Sequence, residues 1–227
     1  MAEYIHLFQT EAEFTSAYTN DYHEPWVSYT VETSAITFNK EQLPEGAVDL
    51  GLPSGTLWAT CNVGASSPEE PGNYYAWGEL SGKSDYSPGT YKFGSASPFS
   101  KYDTDGKTEL ELEDDVAHAV MGGNWHMPTS AQCQELIDNT TSAWTTVNGV
   151  NGGTFTSKTN GNSIFIPAAG RYNGTTRYDS SSCYLWSTGL SPSWRDSGIA
   201  LKCNFYIIGM VDNYGRSNGF SVRGVIG

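Results

Sequence analysis

"ELEDDVAHAVMGGNWHMPTSAQCQELIDN", residues 111–139, is where the chain reads as helical, and the run of strands after it sets the fold class. Glu111, Glu113, Asp114 and Asp115 suit a helix N-terminus ahead of "VAHAVM", and Thr129 with Gln132 forms a capping box ahead of "CQELIDN". The pattern predicts two helices. Past them come "SAWTTV", "GTFTSK", "NSIFIPAAG", "CYLWST", "IALKCNFYII" and "GFSVRGVI", which are nearly all strand and turn. "SIFIPAA" is continuous enough to read as a central buried strand. Two helices placed before a group of closing strands, with much irregular loop between, predict an α+β domain.

Towards the N-terminus the texture is short apolar runs punctuated by glycine, serine and asparagine. "VDLGLPSGTLWATCNVG" predicts a turn and a strand around Leu57 and Trp58, and "NYYAWGE" another short strand. Residues 80–108 form one irregular excursion, too long for a plain connector, which reads as a structured insertion. Residues 1–44 look like a separate small unit. A capping box, Thr10 with Glu13, precedes Phe14 and Tyr18, and "PWVSYTVETSAITFNK" reads as two short strands. "EQLPEGA", 41–47, has boundary chemistry, so the domains expected are 1–44 and 45–227.

The 227 residues carry 12 basic and 25 acidic side chains, a formal charge of −13, which opposes binding to nucleic acid or anionic membrane surfaces. No apolar run approaches a membrane span, and "MAEYIHLFQTEAEF" lacks the basic and apolar regions of a secretion signal. The expectation is a chain made in the cytoplasm without membrane insertion. Few charges (16%), many aromatics (13%) and 25 glycines favour turn-rich β structure over helix bundles. Cys61, Cys133, Cys183 and Cys203 are unpatterned and read as reduced, core-packed thiols.

No constellation signals catalysis, a metal or a cofactor. "DTDG", 103–106, places its glycine wrongly for a calcium loop, so Asp103, Asp105 and the acids after them read as a solvated turn and helix caps. His6, His23, His118 and His126 form no HxxxH or HExxH pair, and no GxSxG elbow or phosphate-cradling glycine loop occurs.

"LKCNFYIIGMVDNYG", 201–215, is less ordinary. Read as one strand, it puts Leu201, Cys203, Phe205 and Ile207 on a core face, and Lys202, Asn204, Tyr206 and Ile208 on the other. The second row mixes a cation, an amide, a phenol and an aliphatic, which is odd for a solvated face.

The strings "AVDLGLPSGTLWATCNVGASSPEEPGNYYAWGE", "LEDDVAHAVMGGNWHMPTSAQCQELI", "TSKTNGNSIFIPAAGRY", "YLWST" and "NGFSVRGV", in that order over residues 48–224, resemble a family of proteins with a C-type-lectin-like fold from gut Bacteroidetes and their phages. Members usually read "WRMPT" and "SVRPV"; His126 and Gly224 here replace the arginine and proline. Some members resemble the variable proteins of diversity-generating retroelements, in which an error-prone template copy rewrites chosen codons between fixed anchors. The anchors map onto Tyr184, Leu185, Trp186, Ser187, Ala200, Phe205, Gly219, Phe220, Ser221, Val222 and Arg223. Between them lie Leu190, Ser193, Trp194, Arg195, Asp196, Ser197, Lys202, Asn204, Tyr206, Ile208, Val211, Asp212, Asn213 and Tyr214, which the resemblance makes a variable ligand-binding surface.

The resemblance implies a non-catalytic receptor-binding protein or adhesin that contacts a host-cell surface protein or glycan. Trp194, Arg195, Tyr206 and Tyr214 are of the types that dominate interface hot spots. Residues 1–44 look like the N-terminal part of phage tail or virion proteins, which implies attachment to a larger, trimeric assembly and a virion location after release. Formylglycine-generating oxidases share the expected fold, but Cys183 and Cys203 lie far apart in sequence and match no such motif. A calcium-dependent sugar lectin would need an EPN or QPD loop and a WND strand, for which "EPG", 70–72, and "WRD", 194–196, are near misses.

Overall fold

A computed structural model of the chain describes residues 43–227, which form one unit; the helix and strand expectations for the N-terminal unit fall outside the described residues. Both helices of 111–139 form, and both are short. Asp115 caps α1 (Val116–Met121), its carboxylate accepting from His118 N at 3.0 Å, and the helix stops at Gly122 and Gly123, both with positive φ. Thr129 and Gln132 close the capping box of α2 (Ser130–Asn139): Thr129 Oγ1 accepts from Gln132 N at 3.1 Å and Gln132 Oε1 accepts from Thr129 N at 2.9 Å. α2 then runs without a linker into a β-branched stretch and becomes strand.

Apart from two single 3-10 turns, Pro88–Thr90 and Leu112–Asp114, the rest of the regular structure is strand. β1 (Ala47–Asp49), β2 (Leu57–Ala59) and β11 (Val225–Ile226) form one sheet with β2 in the middle. β3 (Thr140–Val147), β4 (Val150–Ser157) and β5 (Ser163–Pro167) form a second, and β6 (Arg171–Asn173) with β7 (Thr176–Tyr178) a two-stranded ribbon. β8 (Cys183–Leu190), β9 (Ser197–Cys203) and β10 (Ile208–Gly215) form the last, in the order β10-β9-β8. All these pairings are antiparallel.

Two helices of 6 and 10 residues against these small sheets correct the α+β expectation attached to the C-type-lectin-like resemblance: the fold is β-rich. The physical reason is the punctuation of the sequence. Short runs of β-branched and aromatic residues broken by glycine and asparagine cannot extend a helix, and they close as hairpins. β5 is buried as expected, with Ile164, Phe165 and Ile166 inside, but it is an edge of its sheet, not the centre.

The β8-β9-β10 sheet separates two cores. One face carries Tyr184, Trp186, Leu190 and Ala200, packed with Trp77, Tyr91, Phe93, Phe99, Tyr102, Phe220 and Val222. The other carries Cys183, Leu185, Leu201 and Cys203, packed with Trp58, Cys133, Leu136, Phe155 and Ile166. Residues 80–108 are the structured insertion: they bury Tyr86, Tyr91, Phe93, Phe99 and Tyr102, five aromatic anchors of the first core. All eight residues of β8 are buried, so the strand beneath the candidate surface is fixed on both sides.

The two departures from the family strings have local explanations. A Cβ on Gly224 would lie 2.6 Å from Met121 Sδ and 3.1 Å from Trp125, so α1 packs where a proline ring would sit. His126 stays near the surface, its ring nitrogens 2.8 Å from Met127 O and 3.1 Å from Gly227 O.

Candidate functional site

Burial divides the C-terminal segment. Tyr184, Leu185, Trp186, Ser187, Ala200, Phe220, Ser221, Val222 and Arg223 are all buried. Trp186 stacks on Phe220 with ring centroids 3.9 Å apart and an interplanar angle of 12°, and its indole N–H donates to Tyr75 O at 2.9 Å. Of the positions between these anchors, Ser193, Trp194, Arg195, Asp196, Tyr206 and Asn213 are exposed, and Lys202, Asn204, Ile208, Val211, Asp212 and Tyr214 are half-buried. Leu190 and Ser197 are buried and belong to the framework.

The single-strand reading of 201–208 is corrected. Cys203 pairs with Ile208, and Asn204–Ile207 is a hairpin loop. Asn204 Oδ1 accepts from both Tyr206 N and Ile207 N at 2.9 Å, and Asn204 N donates to Ile207 O at 2.8 Å. An asparagine side chain that satisfies two amides closes the loop where the alternation pattern predicts continued strand. Phe205 and Ile207 therefore leave the core, at 70% and 53% exposed, and join Tyr206, at 88%, on the tip. The loop also changes the parity, so Ile208 packs with the second core and not beside Lys202.

Lys202 instead joins residues that sequence spacing does not connect. It pairs across the sheet with Tyr184, and its ammonium lies 5.3 Å from the Tyr184 ring and 5.9 Å from the Tyr214 ring. The Tyr184 hydroxyl lies 3.1 Å from that of Tyr214 and donates to Asp179 Oδ2 at 3.0 Å. Arg171 Nε donates to Asp179 Oδ2 at 2.8 Å, and the guanidinium packs 4.9 Å from the Tyr214 ring. Burial opposes the Asp179 charge, yet the Arg171 and Tyr184 hydrogen bonds hold its carboxyl below the usual range. Burial followed by the Tyr214 hydroxyl pushes the Tyr184 phenol up.

A second grouping surrounds the turn after β8. Ser191 Oγ accepts from Ser193 N at 3.2 Å and Trp194 N at 3.0 Å, while Ser197 N donates to Trp194 O at 2.9 Å. The turn thereby presents Trp194, 59% exposed, with Arg195 and Asp196 beside it. A groove of about 430 Å³ lies between this turn and the 88–99 loop, lined also by Tyr91, Phe99 and Arg216. Asp103 is buried, and this corrects its reading as part of a solvated turn. Its carboxylate accepts from Arg195 Nη1 at 2.9 Å, Phe99 N at 2.8 Å and Ser97 Oγ at 2.8 Å. Those bonds, Arg195 first, lower its pKa to about 2.

Elsewhere, Glu111, Glu113 and Asp114 bring carboxylate oxygens within 4.8 Å of one another. Lys101 Nζ lies at their centre, 2.7 Å from Glu111, 2.5 Å from Glu113 and 2.5 Å from Asp114, with Tyr102 OH donating to Asp114 at 2.7 Å. These acids hold lysines rather than cap a helix. Comparison of the chain with family models, curated proteins and solved structures gives no match.

Sequence spacing missed three pairings: Arg195 with Asp103, Lys202 with Tyr184, and Cys183 with Cys203. The cysteines are direct cross-strand partners inside the second core, where the neighbouring Cys203 thiol, and then burial, push Cys183 up. Only a pairing of β8 with β9 in the right register could have revealed the last two.

Proposed function

We propose that this protein is a non-catalytic binding protein whose C-terminal segment presents a diversifiable surface on a rigid framework, and that its target is a host-cell surface protein or glycan. The observation that carries the reading is the burial split: Phe205 apart, the aromatic and aliphatic anchors are inside, while twelve of the fourteen intervening positions are exposed or half-buried. Side chains such as Trp194, Asp196, Tyr206 and Asn213 can change without disturbing a packed neighbour, because surface substitutions away from special contacts alter stability little; Arg195 is different, since its guanidinium also satisfies buried Asp103. Large aromatics and arginine on a fixed backbone also bind at low ordering cost.

The resemblance to retroelement variable proteins and to phage virion components supplies the biological setting: a tail or virion protein attached through residues 1–44, in a trimeric assembly. Among the described residues no helix is long and apolar enough to cross a membrane, which accords with that setting. Phe205 departs from the anchor pattern, and its exposure supports counting it among the display positions. The cross-strand pairing of Cys183 with Cys203 removes sequence distance as an argument against the oxidase alternative, and what weighs against it is the complete burial of both thiols in the second core.

The test is binding of fluorescently labelled full-length protein to gut Bacteroidetes cells by flow cytometry. A triple variant, Lys202→Ser, Tyr206→Ser and Asn213→Ala, should fold with a melting temperature lowered by only a few degrees, the Lys202 contact with the Tyr184 and Tyr214 rings being worth about 0.5–1 kcal/mol, and lose or switch the strains it labels. Labelling identical to that of the unaltered protein, or chemical turnover of a surface component, would overturn the reading.

A further inference from the structure

We propose that the groove between the Ser193–Ser197 turn and the 88–99 loop is a metal-independent subsite for an uncharged pyranoside. This deepens the binding reading above and rests on it. At about 430 Å³ the groove falls within the range of small-molecule sites and has room for a sugar ring.

The chemistry of its rim selects the class. Trp194 offers an exposed aromatic face of the kind that takes the C–H face of a pyranose. Arg195 uses Nη1 on Asp103 O, at 2.7 Å, and on Asp103 Oδ1; Nε and Nη2 have no partner among the described residues. Asp196 Oδ1 accepts from Ser197 Oγ at 3.1 Å, and Oδ2 has no partner among the described residues. A guanidinium donor beside a carboxylate acceptor matches vicinal hydroxyls, each of which both donates and accepts. An anionic ligand would meet Asp196 and a chain of net charge −13, and a cationic ligand would meet Arg195. Polyhydroxylated and uncharged is the chemistry that both neighbours accept.

The groove is also built rigidly. Asp103 ties both walls, holding Ser97 and Phe99 on one side and Arg195 on the other. Arg216 fixes the turn from beneath: its backbone N–H donates to Asp196 O at 2.8 Å, while its buried guanidinium packs 4.4 Å from the Phe99 ring and donates to Tyr102 O at 2.5 Å. Arg216 stands outside the intervening positions, so the floor stays constant while the rim varies. Direct hydrogen bonds from Arg195 and Asp196 need no bridging ion.

The experiment is a titration of the ¹⁵N-labelled full chain with methyl glucoside, galactoside, mannoside and fucoside in EDTA, read at the Trp194 indole N–H and the Arg195 Nε–H. Methyl glucuronide and a glutamate-containing peptide are run beside them. At least one neutral glycoside should shift both resonances, unchanged by EDTA. Trp194→Ala and Asp196→Ala, both exposed, should keep the melting temperature and weaken binding about tenfold or more. No shift with any neutral glycoside, a shift that requires calcium, or a shift only with the glucuronide or peptide would each overturn the proposal. If the two variants label cells normally while the triple variant does not, the pyranoside subsite fails and the display surface stands. If unaltered protein labels no cells, the display reading fails.

Discussion

Trp186 and Trp194 lie eight positions apart in sequence, and alanine at each should have opposite consequences. Trp186 is fully buried, stacked on Phe220 and hydrogen-bonded to Tyr75 O. Truncating a buried tryptophan costs about 3–5 kcal/mol through lost transfer energy and the cavity left behind. The stack adds about 0.5–1.5 kcal/mol. The lost indole bond adds little, because Tyr75 O also accepts from Phe220 N at 3.0 Å and is not orphaned. Trp186→Ala should therefore cost about 4–6 kcal/mol, which for a unit of this size lowers the melting temperature by roughly 10–20 °C. Trp194, 59% exposed, should cost within about 0.5 kcal/mol, a shift below about 2 °C. Differential scanning calorimetry of the two variants beside the unaltered protein reads both. A Trp186→Ala variant unfolded at 25 °C lies at the far end of the same expectation. Equal shifts, or a Trp186→Ala shift below about 3 °C, would refute the division into framework and display.

Acid should loosen the groove only when it protonates Asp103. The Asp103 carboxyl is depressed to about 2 in the fold, so its bracing is complete above the ordinary value of 3.8 and is lost as pH falls through about 2. The Arg195 Nε–H resonance should hold steady from pH 7 to about 3 and broaden or move as pH falls through about 2, whereas in Asp103→Asn it should already be altered at pH 7. Lys101→Met should destabilise the protein at neutral pH by leaving Glu111, Glu113 and Asp114 mutually repelling. The lysine hydrogen bonds lower Glu111 outright and Asp114 against the opposing effect of its burial, so the penalty should be largest at pH 7 and fade below about pH 4 as the carboxyls protonate. Urea denaturation of that variant at pH 7 and pH 3 checks the sign; a penalty that grows on acidification would refute it.

The features legible in the sequence are those set by neighbours along the chain. The Thr129–Gln132 box and the acidic start of the first helix, capped by Asp115, depend on residues three or four apart, and both form as the spacing predicts. The alternation of Leu201 and Cys203 likewise places them in the core. What failed needed information from across the fold. The residues 111–139 have good helix ends but too few residues between them to make a helical layer, so fold class was decided by strands whose partners lie far away in sequence. The Asn204 side chain closes a hairpin in a run that otherwise reads as strand, and it moves Phe205, Ile207 and Ile208 off their expected faces. Asp103 looked like a solvated turn because its partner, Arg195, lies 92 residues away. The exposed rim was traceable from the resemblance, while its brace was not.

Deep sequencing of the gene segment encoding residues 171–224 across a natural population tests the central claim most directly. Variation should concentrate at Ser193–Asp196, Lys202, Tyr206 and Val211–Tyr214, with Trp186, Phe220 and Arg223 unchanged, Leu190, Ser197 and Ile208 nearly so, and Asn204 limited to residues that still close the hairpin. Substitutions spread evenly over buried and exposed positions, or a uniform segment, would contradict a diversified display surface.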